Sequence, residues 1–300
     1  MSLSAIVLGA AAGGGVPQWN CNCGVCRLAW SGDPRVRPRT QASLAVSGDG
    51  ERWTLLNASP DLRAQIGFTP ALHPRALPRG SPIETVVLTG AEIDQTAGLL
   101  SLRERTGFEL IATAATLAAV ADNPMFSALD AELVRRRAIV PGQRFSLSAR
   151  LDAELFMVPG KPPLYLEGPN PDTASENATN VGIEVDCGTA RIAYVPAAAA
   201  VTSALRTRLS QADAVLFDGT FFTDDEMIRS GTGRKTARRM GHLPIDGPEG
   251  SLAALSGLSA RRIFVHINNT NPILVEGSLE RRRVEAAGWE IAFDGMEILL

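Results

Sequence analysis

Histidine and tyrosine are scarce in this 300-residue chain, which carries three of the first and two of the second. His73, His242 and His266 are the whole supply of imidazole, so a metal site here must also draw on carboxylates, amides or thiols. No apolar run reaches the roughly 18 residues needed to span a bilayer. Neither sign of charge dominates. The 29 basic and 32 acidic residues leave a net charge of −3, which argues against nucleic acid or an anionic membrane as the main partner. The start, Met1-Ser2-Leu3-Ser4-Ala5-Ile6-Val7-Leu8-Gly9, lacks a charged leader and enters a strand pattern directly. It reads as mature sequence, and the cytoplasm is the expected compartment. Residues 10–15 lack both the Lys-Ser/Thr ending of a phosphate loop and the glycine spacing of a dinucleotide loop. They form either a tight turn or a loop whose backbone N–H groups line a ligand site.

What is present is more specific. Cys21, Cys23 and Cys26 fall within six positions, too crowded for a disulfide framework. Thiolates at this spacing, with Gly24 relaxing the turn, can take three corners of a zinc tetrahedron, leaving a fourth to come from far along the chain. A redox or catalytic thiol role is the alternative. Cys187, alone in a strand-like run, reads as an inert buried thiol.

The run from Val86 to Leu88 is apolar and β-branched, stops at Gly90, and gives way to a short acidic turn holding Glu92, Asp94 and Gln95. A helical pattern begins near Asp94, a residue type suited to a helix N-cap. Asp94 is therefore either a cap or an oxygen ligand, and Glu92 either faces water or joins it. His266 ends the apolar run Ile263-Phe264-Val265, and His242 sits in a loop after the basic stretch 234–239. Each histidine alone is either structural or functional. Together with Asp94 they make a carboxylate–imidazole set with open positions, better suited to Fe(II) or Mn(II) than a closed zinc site is. His73 lies in the proline-rich loop 70–82 and reads as solvated.

Strands are expected at 40–47 and 52–57 around Gly48-Asp49-Gly50, and at 181–185 and 191–195 around Cys187-Gly188-Thr189, as two hairpins. Helices are expected at 96–105, 114–121, 130–137, 201–211, 250–258 and 276–287, with strands at 109–112, 214–218, 263–267 and 289–293. A hairpin-rich first half followed by β/α alternation fits two sheets sandwiched between helices better than one doubly wound sheet.

Three segments carry a resemblance: Val16-Pro17-Gln18-Trp19-Asn20-Cys21-Asn22-Cys23, Met240-Gly241-His242-Leu243-Pro244 and His266-Ile267-Asn268-Asn269-Thr270-Asn271-Pro272. With the glycine-rich start and the Leu88–Asp94 junction, they resemble the metallo-β-lactamase superfamily and, within it, the pyrroloquinoline quinone (PQQ) biosynthesis protein B family. The likeness covers essentially the whole chain. It implies an α/β (α+β) fold, a four-layered αββα sandwich, as a single domain over 1–300 with an N-terminal zinc knuckle at about 20–27. It also implies departures from the superfamily. The dinuclear signature His-x-His-x-Asp-His is met by Gly90-Ala91-Glu92-Ile93-Asp94-Gln95, where only the aspartate survives. Val195-Pro196-Ala197 stands where a bridging aspartate is expected, and His266 matches the last histidine ligand.

Two matching ligands cannot hold two zinc ions, so a dinuclear hydrolase is the weakest of three readings. The first is iron- and O2-dependent hydroxylation of the tyrosine ring of a glutamate–tyrosine precursor of PQQ. The second is a non-catalytic carrier assisting transport of PQQ or its precursor to the periplasm. The resemblance implies Asp94, His266 and His242 as catalytic residues. Fe2+ is expected on Asp94 and His266, with Glu92 and Gln95 as further candidates, and structural Zn2+ on Cys21, Cys23, Cys26 and the residue at the fourth-ligand position, Asn269. Lys161, Arg234 and Lys235, with Arg238 and Arg239, are candidates for the carboxylates of the precursor, against a solvated basic face as the alternative. Implied partners are that precursor, other PQQ biosynthesis proteins and a second copy of the chain.

Overall fold

The computed structural model describes residues 2–173 and 175–300. Two seven-stranded sheets form the molecule's centre. The first contains β1 (Ser4–Gly9), β2 (Ser43–Ser47), β3 (Trp53–Leu56), β4 (Ile83–Val87), β5 (Phe108–Ala112), β6 (Val134–Ala138) and β14 (Glu297–Leu299), ordered β14-β1-β2-β3-β4-β5-β6. The second contains β7 (Arg144–Ser146), β8 (Asp152–Pro159), β9 (Glu176–Asp186), β10 (Arg191–Val195), β11 (Ala214–Asp218), β12 (Arg261–Val265) and β13 (Trp289–Ile291), ordered β13-β12-β11-β10-β9-β8-β7. Both expected hairpins form: β2 pairs antiparallel with β3, and β9 with β10. From β10 to β13 every pairing is parallel, as β/α alternation requires.

Three apolar clusters define the layers. Val7, Leu44, Val46 and Val87 of the first sheet meet Ile183, Tyr194, Leu216 and Ile263 of the second. The outer face of the second sheet is covered by α1 (Gly24–Trp30), α5 (Ser203–Leu209), α7 (Ser251–Ala254) and α8 (Leu279–Ala286), through Val25, Leu205, Leu209, Leu255 and Val284. The outer face of the first carries α2 (Leu62–Phe68) and α4 (Ala114–Ala121) through Leu62 and Val120. This is the expected αββα sandwich.

Several expected helices differ. Residues 130–137 carry helix-forming side chains, yet β6 runs from 134 to 138 as an edge strand parallel to β5. Pairing with β5 overrides local propensity, and Arg135 and Arg137 reach Glu109 on that neighbour at 3.5 Å each. The helix expected at 96–105 is one α turn, α3 (Ile93–Thr96), followed by a 3-10 segment, Ala97–Leu102. Gly98 explains the change. Its N–H donates to the Ala58 carbonyl at 2.9 Å, drawing this segment against the 58–59 backbone. The helix expected at 250–258 is the single turn α7.

Gly98→Ala is expected to destabilise the fold by about 2 kcal/mol in denaturant unfolding, although alanine favours helix. A Cβ at Gly98 would lie 2.1 Å from the Ser59 carbonyl oxygen, which is backbone and cannot swing away.

Candidate metal centre

The loops at one edge of the sandwich carry the site, with contributions from both sheets. After β4 the chain is fixed by an interlock: Asn57 Nδ2 donates to Thr89 Oγ1 and Asn57 Oδ1 accepts from Thr89 N, each at 2.9 Å. The turn then enters α3, which carries Asp94. Gly13 closes over it, since a Cβ there would stand 3.3 Å from Asp94 Oδ2. The 10–15 loop therefore backs the aspartate, and Ala12, Gly13 and Gly14 line the adjoining cleft of about 470 Å³.

From the second sheet, β12 is followed at once by His266, whose φ of +56° is left-handed, a rare conformation for a histidine. That twist turns the ring back to Asp94, with Nε2 3.0 Å from Oδ2. β11 ends at Asp218, whose side chain is fully buried and whose Oδ2 lies 2.7 Å from His242 Nδ1. Thr220 Oγ1 ties these groups together, 2.6 Å from Asp218 Oδ1, 2.8 Å from His266 Nδ1 and 3.1 Å from His242 Nδ1. The two imidazoles stack, with centroids 5.4 Å apart and planes 22° apart.

Electrostatics follow from this pairing. Burial pushes the Asp94 carboxyl up, but the His266 hydrogen bond and the charges on His266 and His242 outweigh it and hold it below its ordinary value. Burial pushes His266 down, and the Asp94 hydrogen bond and charge, with Asp218, more than offset that. Asp218 is pushed up by burial and drawn below its ordinary value mainly by His242. With Nδ1 of His242 held by Asp218 and Nδ1 of His266 by Thr220, Nε2 is the nitrogen each ring would offer to a metal, and in His266 that atom now bonds Asp94. Ligand atoms of Asp218, His242 and His266 lie within 4.8 Å of one another. One carboxylate and two imidazoles cluster here, and Asp94 adjoins them through His266, a donor set that suits a single hard-to-borderline divalent cation.

A second cluster meets the same loop three residues past His266, at Asn269. The Sγ atoms of Cys21, Cys23 and Cys26 lie within 4.8 Å of one another. Asn269 closes the group, its side-chain nitrogen 3.1 Å from Cys21 Sγ and 3.2 Å from Cys26 Sγ, and its backbone carbonyl 3.5 Å from Cys23 Sγ. Burial pushes the Cys23 thiol up to about 12, so it yields a thiolate only beside a cation, which a thiolate-binding metal supplies. The loop 266–271 thus serves both clusters, and Glu226, at the start of α6 (Glu226–Arg229), braces it from behind. Its Oε1 accepts from Thr270 Oγ1 at 2.5 Å and its Oε2 accepts from Phe222 N at 2.6 Å.

Among the sequence-level candidates, the structure brings together Asp94, His266 and His242, and separately the three cysteines with Asn269. Glu92 and Gln95 are engaged elsewhere. Glu92 binds Lys161 Nζ at 2.6 Å and accepts from Leu164 N, while Gln95 Oε1 accepts from Glu92 N and its amide donates to Thr89. Lys161 and Lys235 line the cleft. Arg234 is exposed and outside the cleft lining, because the basic run turns it away while Lys235 and Arg239 point to Glu167. Arg238 pairs instead with Glu249 at 3.2 Å. His73 lies in an exposed loop, its ring 3.3 Å from the Gly67 carbonyl. Asp218, Thr220 and Glu167 are absent from the candidates. The available signal for Asp218 was its place at the end of the apolar run 214–217, the same position that marked His266.

Residues 52–267 match the model of a β-lactamase superfamily domain, so fold and site define a protein of the metallo-β-lactamase class. A protein of the PhnP family described as a diphosphatase shares the fold, with a TM-score of 0.71 at 20% identity over 100% of this chain and 98% of its own. Within that class the chain belongs to the coenzyme PQQ synthesis protein B family. The member from Methylobacterium nodulans is 56% identical, over 99% of this chain and 100% of its own. The member from Rhizobium meliloti is 57% identical, over 99% and 98%. The crystal structure of Zn2+-bound PqqB from Methylobacterium extorquens superposes with a TM-score of 0.97 at 52% identity, covering 98% of this chain and 99% of that one.

Glu226 gives the loop a measurable pH dependence. Burial raises its carboxyl from 4.5 to about 7, so between these values the folded state holds a proton that the unfolded chain has released. Its contribution to stability is therefore full below pH 4.5 and declines as pH rises to about 7. Subtracting the unfolding free energies of Glu226→Gln from those of the wild type across this range is expected to isolate that decline.

Proposed function

We propose that this chain acts in the biosynthesis of PQQ, as an iron- and O2-dependent hydroxylase of the tyrosine ring of a glutamate–tyrosine precursor. The observation that carries this reading is the ligand set: Asp94 and His266 face each other at the cleft, backed by Asp218 and His242, without the other histidines that dinuclear hydrolysis needs. Family membership supports the pathway, and the donor chemistry supports a single open metal.

Asp94 Oδ2 and His266 Nε2 would hold the ion, with Thr220 fixing the His266 ring through Nδ1. An Fe(II) ion bound there supplies the O2 activation that ring hydroxylation requires. Asp218 orients His242 through Nδ1, leaving Nε2 to exchange a proton with the phenol hydroxyl. Lys161 and Lys235 offer charge to the precursor's carboxylates. One oxygen atom enters the ring C–H bond. The other leaves as water, which takes two electrons and two protons from a small-molecule reductant. Cys21, Cys23, Cys26 and Asn269 would hold structural zinc, consistent with the zinc-bound Methylobacterium extorquens relative.

No helix among the described residues is long and apolar enough to cross a membrane. We take the protein to work in the cytoplasm as a single domain, alongside other PQQ biosynthesis proteins and a second copy of the chain.

Anaerobic reconstitution with Fe(II), then O2, reductant and a glutamate–tyrosine dipeptide, is expected to give a product one oxygen heavier by mass spectrometry. Tight binding of the dipeptide without turnover would instead establish a carrier. Asp94→Ala and His266→Ala are each expected to abolish turnover while elemental analysis still finds the knuckle's zinc; loss of zinc from both would mean the two sites are misassigned. Cys23→Ser is expected to lose that zinc and to lower the melting temperature by roughly 10 °C. Unchanged melting would remove the structural role.

A further inference from the structure

The strongest unassigned feature of the cleft is Glu167. Its side chain is only 5% exposed, and three cations converge on it: Lys161 Nζ at 3.6 Å, Lys235 Nζ at 3.4 Å and the Arg239 guanidinium. Burial pushes its carboxyl up, while the Arg239 hydrogen bond and the charges of Lys161, Lys235 and Arg239 hold it below its ordinary value. It is therefore an ionised carboxylate inside the cleft. The fit is incomplete, because Oε2 is buried and accepts no hydrogen bond.

The segment that carries Glu167 is weakly held. The 3-10 turn Leu164–Leu166 buries none of its residues, and Leu164 and Leu166 are both more than half exposed. Its attachments are polar: Leu164 N to Glu92, Tyr165 Oη to the Ala91 carbonyl at 2.8 Å, and Glu167 to the cations. Releasing such a segment forfeits little apolar burial. Lys161, the buried cation of the three, keeps Glu92 at 2.6 Å as Glu167 leaves, and an arriving carboxylate restores a counter-charge to the more exposed Lys235 and Arg239.

We propose that Lys161, Lys235 and Arg239 form a carboxylate-binding subsite of the cleft, that Glu167 occupies it in the resting chain, and that a ligand carboxylate takes Glu167's place. The inference rests on the proposed function only in taking that ligand to be the carboxylate-bearing precursor. The subsite sets specificity for an acidic ligand, and the exchange frees the 164–167 turn as the ligand seats.

The test uses glutarate, a dicarboxylate without a phenol ring, and the full-length purified chain. By calorimetry, Glu167→Gln is expected to bind glutarate about tenfold more tightly than the wild type, because the internal competitor is gone. Adding Arg239→Ala to that variant is expected to reverse the gain. In the wild type, saturating glutarate is expected to speed amide hydrogen exchange at residues 164–167. Equal or weaker binding by Glu167→Gln overturns the proposal. Should that variant fail to fold, unchanged exchange in the wild type overturns it instead. Tighter glutarate binding in a protein that never hydroxylates the dipeptide would remove the hydroxylase and leave the subsite standing.

Discussion

The contact between Asp94 and His266 joins the two halves of the sandwich at the point where the proposed chemistry would occur. Asp94 follows a strand of the first sheet and His266 follows a strand of the second, so the pair exists only when the sheets are packed. Neither residue belongs at this depth alone. A buried carboxylate without a partner would take up a proton, and a buried imidazole would give one up. Each supplies the charge the other needs, and Asp218 with His242 repeats the arrangement one step deeper. Thr220 links the pairs through its single hydroxyl, so the four side chains behave as one polar body.

That body is arranged for something to enter it. Both imidazoles are held from behind through Nδ1, and His266 turns its Nε2 to Asp94 at the cleft. The strained φ of His266 fits the same account, since an extended residue there would carry the ring along the strand direction and away from Asp94. One short loop then runs on to Asn269 and its three thiols. A metal at the knuckle would therefore stiffen the backbone that aims His266, which couples stability to the geometry of the cleft.

How much of this was legible in the sequence depended on how local the cause is. The junction at Asp94, the cysteine triad and the strand-end histidine announce themselves within a few residues each, and the layered fold follows from hairpins giving way to β/α alternation. Residues 130–137 misled because Ala-Glu-Leu-Val-Arg-Arg-Arg favours helix by itself, whereas its strand form depends on β5 being alongside. Asp218 was hidden because an aspartate before Gly219 and Thr220 reads equally well as a turn. Glu167 could not be found at all by spacing, since the cations that give it meaning come from positions 161, 235 and 239.

The edge strand β6 has an effect on the molecule's behaviour in company. It presents three consecutive arginines, and the Arg135 side chain is 80% exposed. A second copy offering the same strand would bring rows of guanidinium groups into register, and repulsion would oppose the backbone pairing that an open sheet edge invites. The sheet is thus ended by charge as well as by chain length. Self-association through this border should be suppressed in dilute buffer and return as salt screens it, which leaves the rest of the surface to govern how copies meet in a crowded solution.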